Sequence, residues 1–213
     1  MLNTFITGCD AQQEWMLPWF LSNFFKHNPT ANIKVVDFGL SQKGIDHAAA
    51  YGIKITDKIN TNIKAWFYKP KAILDIKADK KIWLDVDCEV RGNLNEMFDL
   101  LLESKLSMCQ DRPWSRRRGE LWYNSGVVGV IHNPPILKLW SQRCISQNKV
   151  GDQEVLQEML SDPLQKLIYI NEVSSEYNFL RLDFLDGLTD RNAKIVHWTG
   201  PKGKIKIREM MNG

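Results

Sequence analysis

A dominant charge is the first thing this chain lacks. Its 213 residues carry 28 basic and 25 acidic side chains, a net charge of +3. That is too balanced for a protein that grips nucleic acid with a basic face. Clustered cysteine is missing too: Cys9, Cys88, Cys109 and Cys144 are widely scattered and form no Cys-x-x-Cys. This excludes zinc-finger spacing and a disulfide scaffold, and favours reduced thiols in a cytoplasmic setting. No apolar run reaches the length of a transmembrane helix. Met1-Leu2-Asn3-Thr4 does not begin a basic segment followed by an apolar one, so no signal peptide is expected. Without repeats, low-complexity tracts or a linker, residues 1–213 are expected to form a single domain.

The hydrophobic content of 44% suffices for a sizeable core. Eight tryptophans are many for this length. Most should be core, but a ring with one apolar and one wet side also suits a ligand groove. In the first half, apolar stretches alternate with helical patterns. Strands are predicted at 2–7, 33–38 and 53–55. Helices are predicted over about 11–27, from Ser41 to Tyr51, and over 63–78, despite Pro70. Such alternation implies α/β architecture with a parallel, doubly wound sheet, whose ligands bind at the carboxyl ends of the strands. The second half reads as a helix at 94–103, a strand at 106–110, a polar loop at 111–120 and a strand at 127–131. Helices follow from Pro135 to Gln147 and, after Gly151-Asp152-Gln153, through Leu160. Further strands fall at 167–170 and 193–198, before a loosely held basic tail at 201–213.

The stretch Ile82-Trp83-Leu84-Asp85-Val86-Asp87 carries the strongest chemical signal. An apolar strand ends in two carboxylates two positions apart, so both leave on the same side. Like charges this close oppose each other unless a cation lies between them. A hard divalent cation completed by substrate phosphates accounts for the pattern, although two solvated acids at a strand end would read the same. Asp10 falls after the first strand, at the same sheet edge, and should share the crevice.

Asp85-Val86-Asp87, Asn124-Ser125-Gly126-Val127, Gly151-Asp152-Gln153 and Val196-His197-Trp198-Thr199-Gly200 occur in that order. Together they resemble the nucleotide-sugar glycosyltransferases of the GT-A fold, and most of all family 8, the glycogenin and bacterial galactosyltransferase family. The resemblance implies a metal-dependent, retaining transfer of a hexose or deoxyhexose from a UDP-sugar to an acceptor hydroxyl, such as that of a glycan. It implies Asp85, Asp87 and His197 as ligands of Mn²⁺ or Mg²⁺. It puts Asp10, Lys69, Asn124, Ser125, Gly126, Gly200 and Lys202 around the donor, and Asp152 and Gln153 near the anomeric carbon. Lys71 rivals Lys69, and Lys204 rivals Lys202, because the family's Lys-Pro-Trp is replaced here by Pro201-Lys202-Gly203-Lys204. Read singly, Asp10 is equally a turn former and Asp152 equally a helix N-cap. The arginines of 111–120 suggest a mobile lid over the diphosphate or an acidic acceptor. Two other functions fit parts of the pattern: a sugar-nucleotide pyrophosphorylase-like nucleotidyltransferase and a non-catalytic sugar-binding module.

Overall fold

Side chains alternating along two strands decide the layering. In β1 (Asn3–Cys9), Phe5 and Ile6 enter separate apolar clusters. In β3 (Lys80–Leu84), Ile82 and Leu84 join the cluster of Phe5, while Trp83 joins that of Ile6. A strand with both faces apolar must be central and covered by helices on both sides. The computed structural model describes residues 1–60, 63–147 and 150–213. It forms this three-layer arrangement around a six-stranded sheet.

The remaining strands are β2 (Ile33–Asp37), β4 (Cys88–Val90), β5 (Leu106–Gln110), β6 (Tyr123–Ile131), β7 (Ile170–Val173), β8 (Phe179–Leu180) and β9 (Ile195–His197). The main sheet has the order β2-β1-β3-β6-β5-β7, and β4-β9-β8 form a small second sheet. The β1–β2, β1–β3 and β5–β7 pairs are parallel, whereas β6 is antiparallel to both its neighbours. The sheet is therefore mostly parallel, as expected. The reversal of β6 brings its amino end to the edge where β1, β3 and β5 end.

The helices are α1 (Leu17–His27), α2 (Gln42–Ala49), α3 (Lys69–Asp75), α4 (Arg112–Arg118), α5 (Pro135–Gln147), α6 (Asp152–Met159), α7 (Pro163–Tyr169), α8 (Arg181–Leu185) and α9 (Gly200–Asn212). On one face α1 packs Leu17, Phe20 and Phe24 against Phe5; on the other, Ile73 of α3 and Trp140 of α5 cover Trp83 and Val128.

Several expectations change. The helix expected over 11–27 begins only after a 3₁₀ turn at Glu14–Met16, because the Asp10 carboxylate bends the chain by accepting the Gln12 and Gln13 N–H groups. The strand at 53–55 shrinks to one bridge, Val35 to Ile55. The helix at 63–78 is a 3₁₀ turn, Ala65–Tyr68, followed by α3, with Pro70 in its opening turn where no N–H is needed. The helix at 94–103 is likewise a 3₁₀ segment, Asn95–Leu100. The polar loop at 111–120 is largely α4: Asp111 caps it by accepting the Trp114 N–H, and Gly119 ends it at φ 69°. Asp162 and Pro163 start α7 where a strand was expected, and that strand moves on to Ile170–Val173. The tail is α9, anchored by buried Ile207. Only glycine fits at Gly203, where a Cβ would lie 1.9 Å from the Trp198 carbonyl oxygen.

Away from the sheet edge, Lys81 is a buried lysine on β3. Its Nζ donates to the Ile73 carbonyl at 2.8 Å and to Asn133 Oδ1 at 2.5 Å, tying β3 to the end of α3. Burial pushes its ammonium down to about 8, against a weaker upward pull from Asp75. An unfolded lysine titrates near ~10.4. Between about pH 8 and that value the unfolded chain holds a proton that the folded chain has released, so this group adds stability as pH rises, by roughly 2 kcal/mol. Urea unfolding at pH 7.5 and pH 10 should show this gain in the wild type and its absence in Lys81→Met. Equal pH dependence in the two proteins would remove the argument.

Candidate active site

Three strands that end at the shared edge are followed by carboxylates. Asp10 follows β1, Asp85 and Asp87 follow β3, and Asp111 follows β5. The amino end of β6 supplies Asn124, Ser125 and Gly126. There the β5–β6 register slips, from Met108 opposite Val128 to Cys109 opposite Asn124. A bulge of this kind re-aims side chains, and here it frees the Asn124–Gly126 backbone to meet the acidic loop: Asp85 N–H donates to the Gly126 carbonyl at 2.8 Å. The small sheet contributes the histidine. In the β4–β9 pair Cys88 lies opposite His197, and Trp198 N–H donates to the Asp87 carbonyl at 3.0 Å.

Asp85 and Asp87 therefore converge on His197. Its Nε2 is 3.2 Å from Asp87 Oδ1 and 4.0 Å from Asp85 Oδ2. Gly126 makes room for the ring, since a Cβ there would fall 2.0 Å from His197 Cε1. Gly126, expected beside the donor, has the imidazole directly against it. Asp85 is further fixed by the Trp83 indole N–H, which donates to its Oδ1 at 2.6 Å.

Two lysines neutralise the acids. Lys69, the first residue of α3, is buried, 3.0 Å from Asp85 Oδ1 and 3.1 Å from Asp152 Oδ2, and it donates to the Ser125 carbonyl at 3.0 Å. Burial works against its charge, but Asp152 and Asp85 outweigh burial and hold the ammonium well above its usual range. Lys71 instead pairs with Asp75 on the outer surface at 2.5 Å, away from the acidic pair. Lys204 pairs with Asp87 Oδ2 and lines the cleft, whereas Lys202 is exposed. The two acids diverge electrostatically. Burial drives Asp85 upward despite Lys69. Burial also opposes ionisation of Asp87, but His197, when its ring is charged, and Lys204 overcome it and hold that carboxyl well below its usual range.

The cleft has two lobes sharing Trp66, Lys69, Asp85 and Asp87. One, of about 260 Å³, runs past Asp10, Gln13 and Phe38 to Lys204. The other, of about 380 Å³, is bounded by Trp114, Asn124, Asp152, Gln153, His197 and Gly200. Asp10 thus shares the crevice as expected, with Oδ1 engaged in its own turn. Asp152 lies in the first turn of α6 and is not its cap; Gly151 holds that position, and the carboxylate faces Lys69. Gln153 turns its amide into the wall: Oε1 accepts from Asn124 Nδ2 at 3.1 Å and Ser125 N at 3.3 Å, and Nε2 donates to Asp111 Oδ2 at 3.0 Å. Gln153 was expected near the anomeric carbon, and its carbonyl oxygen is engaged by these neighbours. The arginines also differ from expectation: Arg112 pairs with Asp183 at 2.8 Å and Arg116 with Asp186 at 2.9 Å, fastening α4 to α8 and its end.

The donor set suits a divalent cation. Asp87 meets the imidazole directly, Asp85 lies 4.0 Å from the same nitrogen, and protein cations already lie against both acids. Asp87, Cys88 and His197 also bring ligand atoms within 4.8 Å of one another. The Cys88 thiol, however, is pushed far up by burial and by both aspartates. A thiol that keeps its proton is a weak ligand, and the carboxylate oxygens and imidazole nitrogen around it suit a hard divalent cation better than a thiophilic one.

No family model matches the chain, and no curated protein does. Solved structures do. The galactosyltransferase LgtC, in complex with donor and acceptor sugar analogs, superposes with a TM-score of 0.70 at 19% identity, over 98% of this chain and 95% of that one. The glycosyltransferase GlyE of Streptococcus pneumoniae gives 0.67 at 16% identity, over 100% of this chain and 64% of GlyE. The bifunctional glycosyltransferase WbbM gives 0.66 at 13% identity, over 94% and 46%. The fold is that of the GT-A glycosyltransferases. The likeness seen in the motifs is thus matched by superposition over nearly the whole of this chain.

Three contributors carry little sequence signal. Trp83 reads as core. Asp111 opens a polar stretch, where Asp-x-Pro is the one helix-cap signal. Asn178 lies in Glu176-Tyr177-Asn178-Phe179 with no motif around it.

Proposed function

We propose that this protein transfers a sugar from a nucleotide diphosphate donor, most simply a UDP-hexose, to an acceptor hydroxyl with retention at the anomeric carbon. The observation that carries this reading is the convergence of Asp85, Asp87 and His197 at the junction of two lobes, with Lys69 and Lys204 beside them. A site built this way has cations on both sides of a point where a diphosphate could sit. In this reading the lobe at Asp10 takes the nucleoside. The lobe at Asn124 and Asp152 takes the sugar and acceptor, with Trp66 and Trp114 offering ring faces. Asp85, Asp87 and His197 would hold Mn²⁺ or Mg²⁺, which when bound supplies positive charge to the leaving diphosphate. Lys69 and Lys204 add to that charge.

Asp152 is a poor candidate for a nucleophile, because its carboxylate is buried and held by Lys69. Front-face attack, in which a donor phosphate oxygen takes the acceptor proton, asks less of it. Asp152 then orients donor or acceptor through Lys69, and Gln153 braces Asn124 and Ser125.

A panel of nucleotide sugars with and without Mn²⁺, scored for UDP release and for the anomer formed by NMR, tests the proposal. We expect UDP release from one or a few UDP-sugars, its loss in EDTA and a retained product. Pyrophosphate-dependent exchange would instead indicate a nucleotidyltransferase, and sugar binding without turnover a binding module.

A further inference from the structure

We infer that Asp111, Asn124 and Asn178 are positioning residues that fix the tautomer of His197, presenting a bare Nε2 lone pair to the acidic pair. This rests on the metal-binding reading of that pair. The argument needs only the direction of hydrogen bonds. Asp111 accepts three N–H groups: Trp114 N on Oδ1, and Asn124 Nδ2 and Gln153 Nε2 on Oδ2, each at 3.0 Å. A carboxylate used in this way has no proton to give, so it can only face the amino side of Asn124. From the other side, the Gly126 backbone N–H, which can only donate, lies 3.0 Å from Asn124 Oδ1. Charge and backbone thus orient the same amide independently. Asn124 Oδ1 also accepts from Asn178 Nδ2 at 2.9 Å, which turns the carbonyl oxygen of Asn178 towards His197.

That oxygen is 3.1 Å from His197 Nδ1. A carbonyl oxygen there requires a proton on Nδ1. A neutral ring then has no proton on Nε2, which is the nitrogen near Asp87 and Asp85. A lone pair facing two carboxylates is unfavourable unless a cation lies between them. Ligating histidines are commonly oriented by such a partner on the other nitrogen. Here the partner is itself held by a chain of amides running to a helix cap, with Asn178 only 1% exposed and Asn124 only 6% exposed.

The test is long-range ¹H–¹⁵N NMR of the imidazoles in the metal-free 213-residue chain, at a pH where the ring is neutral, with MnCl₂ affinity measured separately by calorimetry. The wild type should show His197 protonated at Nδ1. Asn178→Leu removes the acceptor and should move the ring towards the Nε2-protonated form, weakening Mn²⁺ binding roughly 10- to 100-fold. Asn178→Asp restores an acceptor for Nδ1–H and should recover the wild-type tautomer and most of the affinity. An Nε2-protonated ring in the wild type overturns the inference whatever the variants do. So does an Asn178→Leu protein with unchanged tautomer and affinity. Should Asn178→Leu fail to fold, the wild-type spectrum and the Asn178→Asp spectrum still decide the matter, since loss of the Nδ1-protonated form in the latter counts against it.

Discussion

Replacing Lys69 with methionine should cost the folded protein about 3–5 kcal/mol, the largest single loss expected from any residue of the cleft. The reason is what remains. Lys69 is the buried cation between Asp85 and Asp152, and it also satisfies the Ser125 carbonyl. Methionine fills most of the volume but leaves Asp152 largely buried with no counter-charge. Removing the acid as well should return much of the loss, so Asp152→Asn in the Lys69→Met background should be more stable than Lys69→Met alone. That pattern, measured by urea unfolding, separates an electrostatic clamp from simple packing. A Lys69→Met protein within about 1 kcal/mol of the wild type would show that water screens the cluster and that the ion pairs are surface-like.

The clamp also shows which parts of the molecule could be read in advance. A strand buried on both faces announces itself, because nothing else places Ile82, Trp83 and Leu84 in succession before two acids. The carboxyl-end rule for parallel sheets then brought Asp10 and the acidic pair to one edge without any knowledge of pairing. His197 and Lys69 were placed by resemblance, and the geometry gathers both at the acids. What failed were segments whose structure depends on distant partners. α4 looks like a loop because its residues are polar, but its arginines find Asp183 and Asp186 some 70 positions later in the chain. α9 looks like a tail because it is basic, but Lys204 returns to Asp87 and Ile207 enters the core.

The amide network was illegible for a related reason. Asn124, Gln153 and Asn178 carry no periodicity, and each could cap a turn or face water. Their roles come from the β6 bulge and the register of the small sheet, which depend on pairings that local pattern does not encode. Gln153 is the instructive case. Its place beside Asp152 suggested a group facing substrate, whereas both its carbonyl and amino sides are engaged by the wall.

Asp87→Asn should abolish transfer, by at least about a thousandfold, while leaving the fold almost intact. The change removes a charge and almost no volume. Its two partners tolerate the loss differently: Lys204 is partly exposed and can turn to water, while His197 keeps Asn178 on its other nitrogen. We expect unfolding free energies within about 1 kcal/mol of the wild type and no Mn²⁺-dependent binding of UDP by calorimetry. Lys204→Met provides the contrast. Lys204 and a divalent cation would occupy the same side of Asp87, so losing the ammonium should strengthen binding of Mn²⁺ alone. It should weaken binding of UDP in the presence of Mn²⁺, because one cation facing the diphosphate is gone. Opposite signs for the bare ion and the nucleotide are the signature of a lysine that covers the acid until donor arrives. Full turnover by Asp87→Asn would remove the metal from the reaction. Weaker binding of both ligands by Lys204→Met would reduce that lysine to a structural tether for α9.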